Sequence, residues 1–307
     1  MSQKRTKTET YRRTIKEKGP LSIKVHPPKK HEGELIKIAK IHVITVAPTT
    51  PIYDSIQIMK KEGFRRIPIV NPGTKTLQGI VTATDIVNYL GGGDKFDIIQ
   101  KKFEGNFFKA IYEPTKSIMT KQVIAIKHLA KISEAISLMK QHNIGGLPII
   151  DDKNSVKGII TERDILRMFK RKLSGVPITD VMSKQVTTIP AETNIFEAER
   201  TMIRQGFRRL PIVKENKLLG ILTVMDIIRF FGSSEVFKHL KTGTLLQVLQ
   251  THAIEIATRE VITINSSQDV GEAAELMEKT NIGALPVIEN EKIVGIITER
   301  DFFKLIT

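Results

Sequence analysis

The sequence predicts a mixed α/β (α+β) fold in which one β-α-β-β-α unit occurs four times within 307 residues. Three observations carry this. A Thr or Ala closing one apolar run stands 23 residues before a proline in the next, at Thr45–Pro68, Ala125–Pro148, Thr188–Pro211 and Thr263–Pro286. The stretch between the two markers bears the same apolar stripe at helical spacing in every copy. Beyond the proline, a glycine, a threonine and an aspartate recur at constant intervals. Constant spacing repeated along a chain marks a duplicated structural unit, and it outranks local propensity in deciding the fold.

Each unit opens with a short strand ending near Thr45, Ala125, Thr188 or Thr263. A helix follows, because Ile52, Ser55 and Met59, with Ile132, Ala135 and Met139, Ile195, Ala198 and Met202, and Val270, Ala273 and Met277, fall three and four residues apart and share one face. The second strand holds Pro68, Pro148, Pro211 or Pro286. Proline cannot donate to a ladder, so it is expected at the strand start or on a side that needs no N–H. A polar turn comes next, such as Asn71-Pro72-Gly73-Thr74 or Asp151-Asp152-Lys153-Asn154. The third strand contains Gly79, Gly158, Gly220 or Gly295, and six residues later an aspartate stands in the first turn of a closing helix.

A unit of this size buries little surface alone, so the copies are expected to pack in pairs. Units one and three share Phe64-Arg65-Arg66 and Phe207-Arg208-Arg209, whereas units two and four have Ile144-Gly145-Gly146 and Ile282-Gly283-Ala284. A two-unit module has therefore been duplicated. The expected division is a basic, flexible tail over 1–40, units at 41–90 and 119–172 with a connector at 91–118, then units at 173–231 and 254–307 with a connector at 232–253. The connectors hold Phe96, Phe103, Phe107, Phe108 and Phe237 and are expected to pack as helices across the modules.

The runs Gly79-Ile80-Val81-Thr82-Ala83-Thr84-Asp85, Gly158-Ile159-Ile160-Thr161-Glu162-Arg163-Asp164, Gly220-Ile221-Leu222-Thr223-Val224-Met225-Asp226 and Gly295-Ile296-Ile297-Thr298-Glu299-Arg300-Asp301 resemble the signature of the cystathionine-beta-synthase (CBS) domain family. The layout is similar to that of four-domain members with two Bateman modules, among them the gamma subunit of AMP-activated protein kinase and its stand-alone archaeal relatives. The resemblance covers 41–307. It implies clefts between paired domains that hold adenosine ligands such as AMP, ADP, ATP or S-adenosylmethionine, with the signature Thr and Asp facing ribose and phosphate. It also implies phosphate contacts from residues before the proline and within the signature helix.

The residues themselves leave two roles open for Thr82–Asp85, Thr161–Asp164, Thr223–Asp226 and Thr298–Asp301. A threonine three residues ahead of an acid has capping-box spacing. A carboxylate repels phosphate but accepts well from vicinal hydroxyls, so the same aspartates are ribose candidates. Phosphate requires cations, which recur at Arg65, Arg66, Arg208 and Arg209 before the second strand and at Arg163 and Arg300 in the closing helix. Guanidinium forks suit paired bonds to phosphate oxygens. A cation in a helix's first turn opposes the dipole, so its recurrence asks for another explanation, which an anion supplies. A solvated surface with stems lying on apolar neighbours is the plainer alternative for these six. Strand backbone near Thr45, Ala125, Thr188 and Thr263 is the candidate purine edge.

Enzymatic chemistry finds no support. Cysteine is absent, the seven histidines have no ligating spacing, and no phosphate-loop motif occurs. No cofactor is expected beyond an adenine nucleotide as regulatory ligand, and no metal. The apolar runs fall short of the ~20 residues that span a bilayer. Without a secretory h-region, a cytoplasmic, non-membrane protein is expected. It would act through conformational change, as a homodimer or on a partner protein. The net charge of +15 is concentrated at the start, where 1–42 hold twelve Lys or Arg against four acids. Lys4, Arg5, Lys7, Arg12, Arg13, Lys16, Lys18, Lys29 and Lys30 leave a nucleic-acid-binding tail as an alternative. A non-catalytic scaffold or oligomerisation module is the other.

Overall fold

A computed structural model describes residues 23–24, 33–169, 175–215, 217–240 and 243–305, so most of the basic tail, including the nine lysines and arginines named above, lies outside the described residues. Strand β1 (Ile23–Lys24) and helix α1 (Glu34–Ile38) precede unit one, which comprises β2 (Ile44–Thr45), α2 (Ile52–Glu62), β3 (Arg66–Val70), β4 (Leu77–Thr82) and α3 (Ala83–Val87). After a π-helical turn over Asn88–Gly92, the first connector forms α4 (Phe96–Phe103) and α5 (Phe107–Ile111). Unit two is β5 (Ile126–Lys127), α6 (Ile132–Gln141), β6 (Gly146–Ile150), β7 (Val156–Thr161) and α7 (Glu162–Phe169). Unit three is β8 (Ile189–Pro190), α8 (Ile195–Gln205), β9 (Arg209–Lys214), β10 (Lys217–Thr223) and α9 (Val224–Phe231). Helices α10 (Leu245–Leu249) and α11 (Ala253–Ile256) lead to unit four, with β11 (Ile264–Asn265), α12 (Val270–Thr280), β12 (Ala284–Glu289) and β13 (Lys292–Thr298). Its closing element is a 3-10 turn over Asp301–Lys304 rather than an α-helix.

The helix stripes are core, as their spacing requires: Ile52, Met59, Ala135, Met139, Ile195, Met202, Val270 and Met277 are all buried. In every unit the first strand runs parallel to the second, and the second runs antiparallel to the third. The proline is the third residue of the middle strand, opposite Ile80, Ile159, Ile221 or Ile296, and not at a strand start. The Pro68 carbonyl accepts from Val46 N at 3.1 Å. Its nitrogen therefore turns the same way, toward a first strand only two residues long, so little ladder is lost.

Pairing within each module is reciprocal. The segment entering each unit crosses the third strand of its partner, through the bridges Lys40–Ile159, Thr120–Ile80, Ser183–Ile296 and Thr258–Ile221. This explains the signature glycine: a Cβ on Gly79 would lie 3.1 Å from the Thr120 carbonyl oxygen and closer still to Met119. The expected tail is correspondingly shorter than 1–40. Helix α1 buries Leu35 and Ile36 in the core of unit two, and Lys40 exchanges backbone hydrogen bonds with Ile159. An apolar pair near the end of an otherwise basic segment is too small a signal to mark this from sequence.

The third strands of units three and four meet edge to edge at Lys217–Lys292, giving the order β11-β12-β13-β10-β9-β8, and the bridge Thr76–Ser155 stands at the corresponding place in module one. A single core then joins units one and three with both connectors, because Ile86, Met202, Ile228, Phe107 and Leu249 belong to one buried cluster. Phe96 meets Phe196 and Phe107 meets Phe231, each with ring centroids 5.9 Å apart, so the connectors do pack across the modules. Units two and four touch through Phe303, which enters the core of unit two, and Leu166, which enters that of unit four. No helix among the described residues is long and apolar enough to cross a membrane.

Candidate functional site

All four Thr–Asp pairs are helix-start locks. The aspartate Oδ2 accepts from the threonine backbone N–H at 2.9, 2.9, 2.7 and 2.8 Å, and from its Oγ1 at 2.7, 2.6, 2.6 and 2.8 Å, for Asp85, Asp164, Asp226 and Asp301 in turn. At Thr82 and Thr223 the hydroxyl also accepts from the aspartate N–H, completing a capping box. Capping and ligand contact therefore divide the carboxylate between its two oxygens, so a ribose held by both would compete with the cap. Oδ1 faces Lys95 at 2.5 Å in Asp85, Arg229 at 2.6 Å in Asp226 and Lys304 at 2.9 Å in Asp301. No such partner of Asp164 Oδ1 occurs among the described residues.

The six arginines do not lie on a solvated surface. They converge where the four units meet. Arg66 donates from Nη1 to the Gly145 carbonyl at 2.6 Å, and Arg209 from Nη1 to the Gly283 carbonyl at 2.9 Å. Arg65 Nη2 lies 3.3 Å and Arg163 Nε 2.5 Å from Glu299. Arg300 Nε lies 2.7 Å and Arg208 Nη1 3.5 Å from Glu162. Arg163 also bonds to Asn281, and Arg300 to Asn143.

Six guanidinium groups thus meet two carboxylates. Burial pushes Arg66 down to about 9 and Arg209 down to about 10, and neighbouring arginines push the same way. Burial lowers Arg208 as well. Burial alone would raise the Glu299 carboxyl, but Arg65 and Arg163 outweigh it and hold it below its ordinary value. Arg66 and Arg209 therefore remain charged at neutral pH, and guanidinium groups outnumber carboxylates in the cluster.

A cleft of about 290 Å³ opens between units one and two. Thr82 and Asp85 lie on one wall, Ile124 and Ile144 on another, and Arg65, Arg66 and Arg208 line it too, the last coming from module two. The cleft therefore presents a capped carboxylate, apolar side chains and part of the arginine centre to one occupant.

The expected purine edge is less uniform. Thr45 is fully buried in β2, and Ile23 of β1 pairs opposite it. Thr188 and Thr263 stand one residue before β8 and β11 and are half-buried. A second cleft of about 340 Å³ borders Asp226, Arg229, His239 and Thr251 beside the second connector. No group of three acids or histidines that could hold a metal ion occurs among the described residues.

Sequence reasoning missed Glu162, Glu299 and Lys95. The first two had a signal: units two and four read Thr-Glu-Arg-Asp where units one and three read Thr-Ala-Thr-Asp and Thr-Val-Met-Asp. Their partners are in the opposite module, which no spacing shows.

The CBS domain model matches residues 36–92, 116–171, 178–233 and 253–307. Protein MJ1225 of Methanocaldococcus jannaschii is 41% identical over 264 residues, covering 85% of this chain and 94% of that protein. The 33.4 kDa protein in the ribosomal RNA operon of Thermofilum pendens is 29% identical over 267 residues, covering 87% and 89% of the respective chains. The crystal structure of MJ1225, a protein put forward as an archaeal homolog of g-AMPK, superposes with a TM-score of 0.85 at 39% identity, covering 89% of this chain and 99% of that one. Four matched segments that coincide with four capped Thr–Asp units place this chain in the CBS-domain family.

Proposed function

We propose that this CBS-domain protein is a sensor of phosphate-bearing adenosine ligands, AMP, ADP or ATP, and that it works by conformational or partner-binding change without chemistry of its own. The observation that carries the reading is the cleft bordered by both the Thr82–Asp85 cap and the half-buried arginines Arg65, Arg66 and Arg208. Its volume, about 290 Å³, suits a mononucleotide held in part. The surplus of guanidinium over carboxylate favours a phosphate chain and disfavours S-adenosylmethionine, whose sulfonium would be repelled. MJ1225, put forward as a homolog of g-AMPK, supports the same direction.

Within this reading Arg65, Arg66, Arg163, Arg208, Arg209 and Arg300 contact phosphate. Asp164 offers Oδ1 to a ribose, and Asp85, Asp226 and Asp301 do so when their cationic partners turn toward phosphate. Unequal Oδ1 surroundings imply unequal affinities among the sites. Calorimetry with adenosine, AMP, ADP, ATP and S-adenosylmethionine, on the wild type and on the Asp164→Ala/Asp301→Ala double variant, tests this. Saturable nucleotide binding that weakens in the double variant is expected. Absence of binding across the panel would remove the sensor reading, and wild-type affinity in the double variant would remove the ribose role.

A further inference from the structure

Glu162 and Glu299 are 4% and 3% exposed, and among the described residues each is ion-paired with two arginines of the other module. Glu299 of module two sits between Arg65 and Arg163 of module one, with its Oε2 and Oε1 facing one guanidinium apiece. Glu162 of module one sits between Arg208 and Arg300 of module two in the same way. Each module's pair of phosphate-binding candidates is thus occupied by a carboxylate from its neighbour.

The chain keeps room for this. A Cβ on Gly145 would lie 2.6 Å from Glu162 Oε2, and one on Gly283 would lie 2.7 Å from Glu299 Oε2. Units one and three have Arg65 and Arg208 at the positions of those glycines, and Ala83 and Val224 at the positions of the glutamates. An acid in a helix's first turn is favourable through the dipole alone. That effect does not require a buried side chain aimed into the opposite module, and units one and three start their helices without it.

Two carboxylates leave the six arginines under-neutralised, and Arg300 Nη2 is a buried donor with no hydrogen-bond partner among the described residues. An anion of higher charge density than a carboxylate would find its donors already gathered, but would have to displace a glutamate to use them.

We infer that Glu162 and Glu299 are resident counter-anions that set the affinity of the arginine centre for phosphate and couple the two modules. A phosphate chain entering at Arg65 and Arg163 displaces Glu299 and so loosens a tie that belongs to module two. Glu162 answers in the opposite direction. The residues rest on the nucleotide reading for their biological ligand, but their competition with anions does not depend on adenosine.

The test is titration of adenosine, ATP and inorganic tripolyphosphate into the wild type, Glu162→Gln and Glu299→Gln, with apo melting temperatures recorded alongside. Removing one buried carboxylate leaves its arginines repelling one another, so the apo variants should melt lower. ATP and tripolyphosphate should bind each about tenfold more tightly than they bind the wild type. Adenosine, if bound, should be unchanged, because it brings no charge to the centre. A merely bracing role would weaken neutral and anionic ligands alike, and would overturn the inference.

Glu162→Asp and Glu299→Asp keep the charge while withdrawing it, and should show a smaller gain of the same sign even where the Gln variants fold poorly. Tripolyphosphate gains without any adenosine ligand binding would support the counter-anion role while retiring the nucleotide reading. Anion affinities equal to or below those of the wild type in the variants, or no anion binding to any of these proteins, would overturn the counter-anion role whatever adenosine does.

Discussion

The Thr–Asp pair shows how much one residue position can hold. Threonine three before aspartate left a cap and a ribose contact both open, and the structure shows the cap, made through Oδ2 alone. Thr223→Val should therefore cost about 1 kcal/mol of unfolding free energy through the lost cap. Denaturant titrations should show that cost with and without nucleotide, and a cost that vanishes on nucleotide addition would contradict a structural role for the hydroxyl. For Arg66 and Arg209 the sequence offered a phosphate contact or a solvated surface. What meets them in the structure, the Gly145 and Gly283 carbonyls, belongs to another unit and leaves no trace in spacing.

At the scale of the element, periodicity disclosed strands and helices, whereas two features without periodicity stayed hidden. Helix α1 is five residues long and contributes Leu35, fully buried, to unit two. Leu35→Ala should lower stability by about 2–5 kcal/mol, as a core truncation does, whereas a truly flexible tail would give no change in a urea melt. Glu199 is the second case, because it lies on the buried face of helix α8 with neither carboxylate oxygen hydrogen-bonded among the described residues. A Cβ on Gly91 would touch its Oε2, so the π-helical turn after unit one packs directly on it.

Burial raises the Glu199 carboxyl well above its ordinary value, so the folded chain keeps a proton that the unfolded chain loses. That contribution is complete below the unfolded value near ~4.3 and is lost as pH rises through the folded one. Glu199→Met should accordingly stabilise the protein by about 1–3 kcal/mol at pH 8 and by less at pH 4. Urea midpoints that shift equally at both pH values would show that the carboxyl titrates alike in both states.

Across the whole molecule, the duplication visible in sequence turns out to be a division of labour. Odd units bring paired arginines, even units bring a glutamate, an arginine and the glycines that make space for them, and the four meet at one charged centre. The asymmetry was legible, since the Phe-Arg-Arg and Thr-Glu-Arg-Asp runs alternate along the chain. Its geometry was not, because which module faces which is decided by the shared core of units one and three and by Phe303 reaching unit two.

The central claim is that this centre selects for phosphate on an adenosine ligand. Paired calorimetric titrations of ATP and adenosine into the wild-type protein test it most directly. The arginine excess predicts ATP binding at least about tenfold more tightly than adenosine, with the difference shrinking as salt is raised. Equal affinities for the two, unchanged by salt, would contradict it.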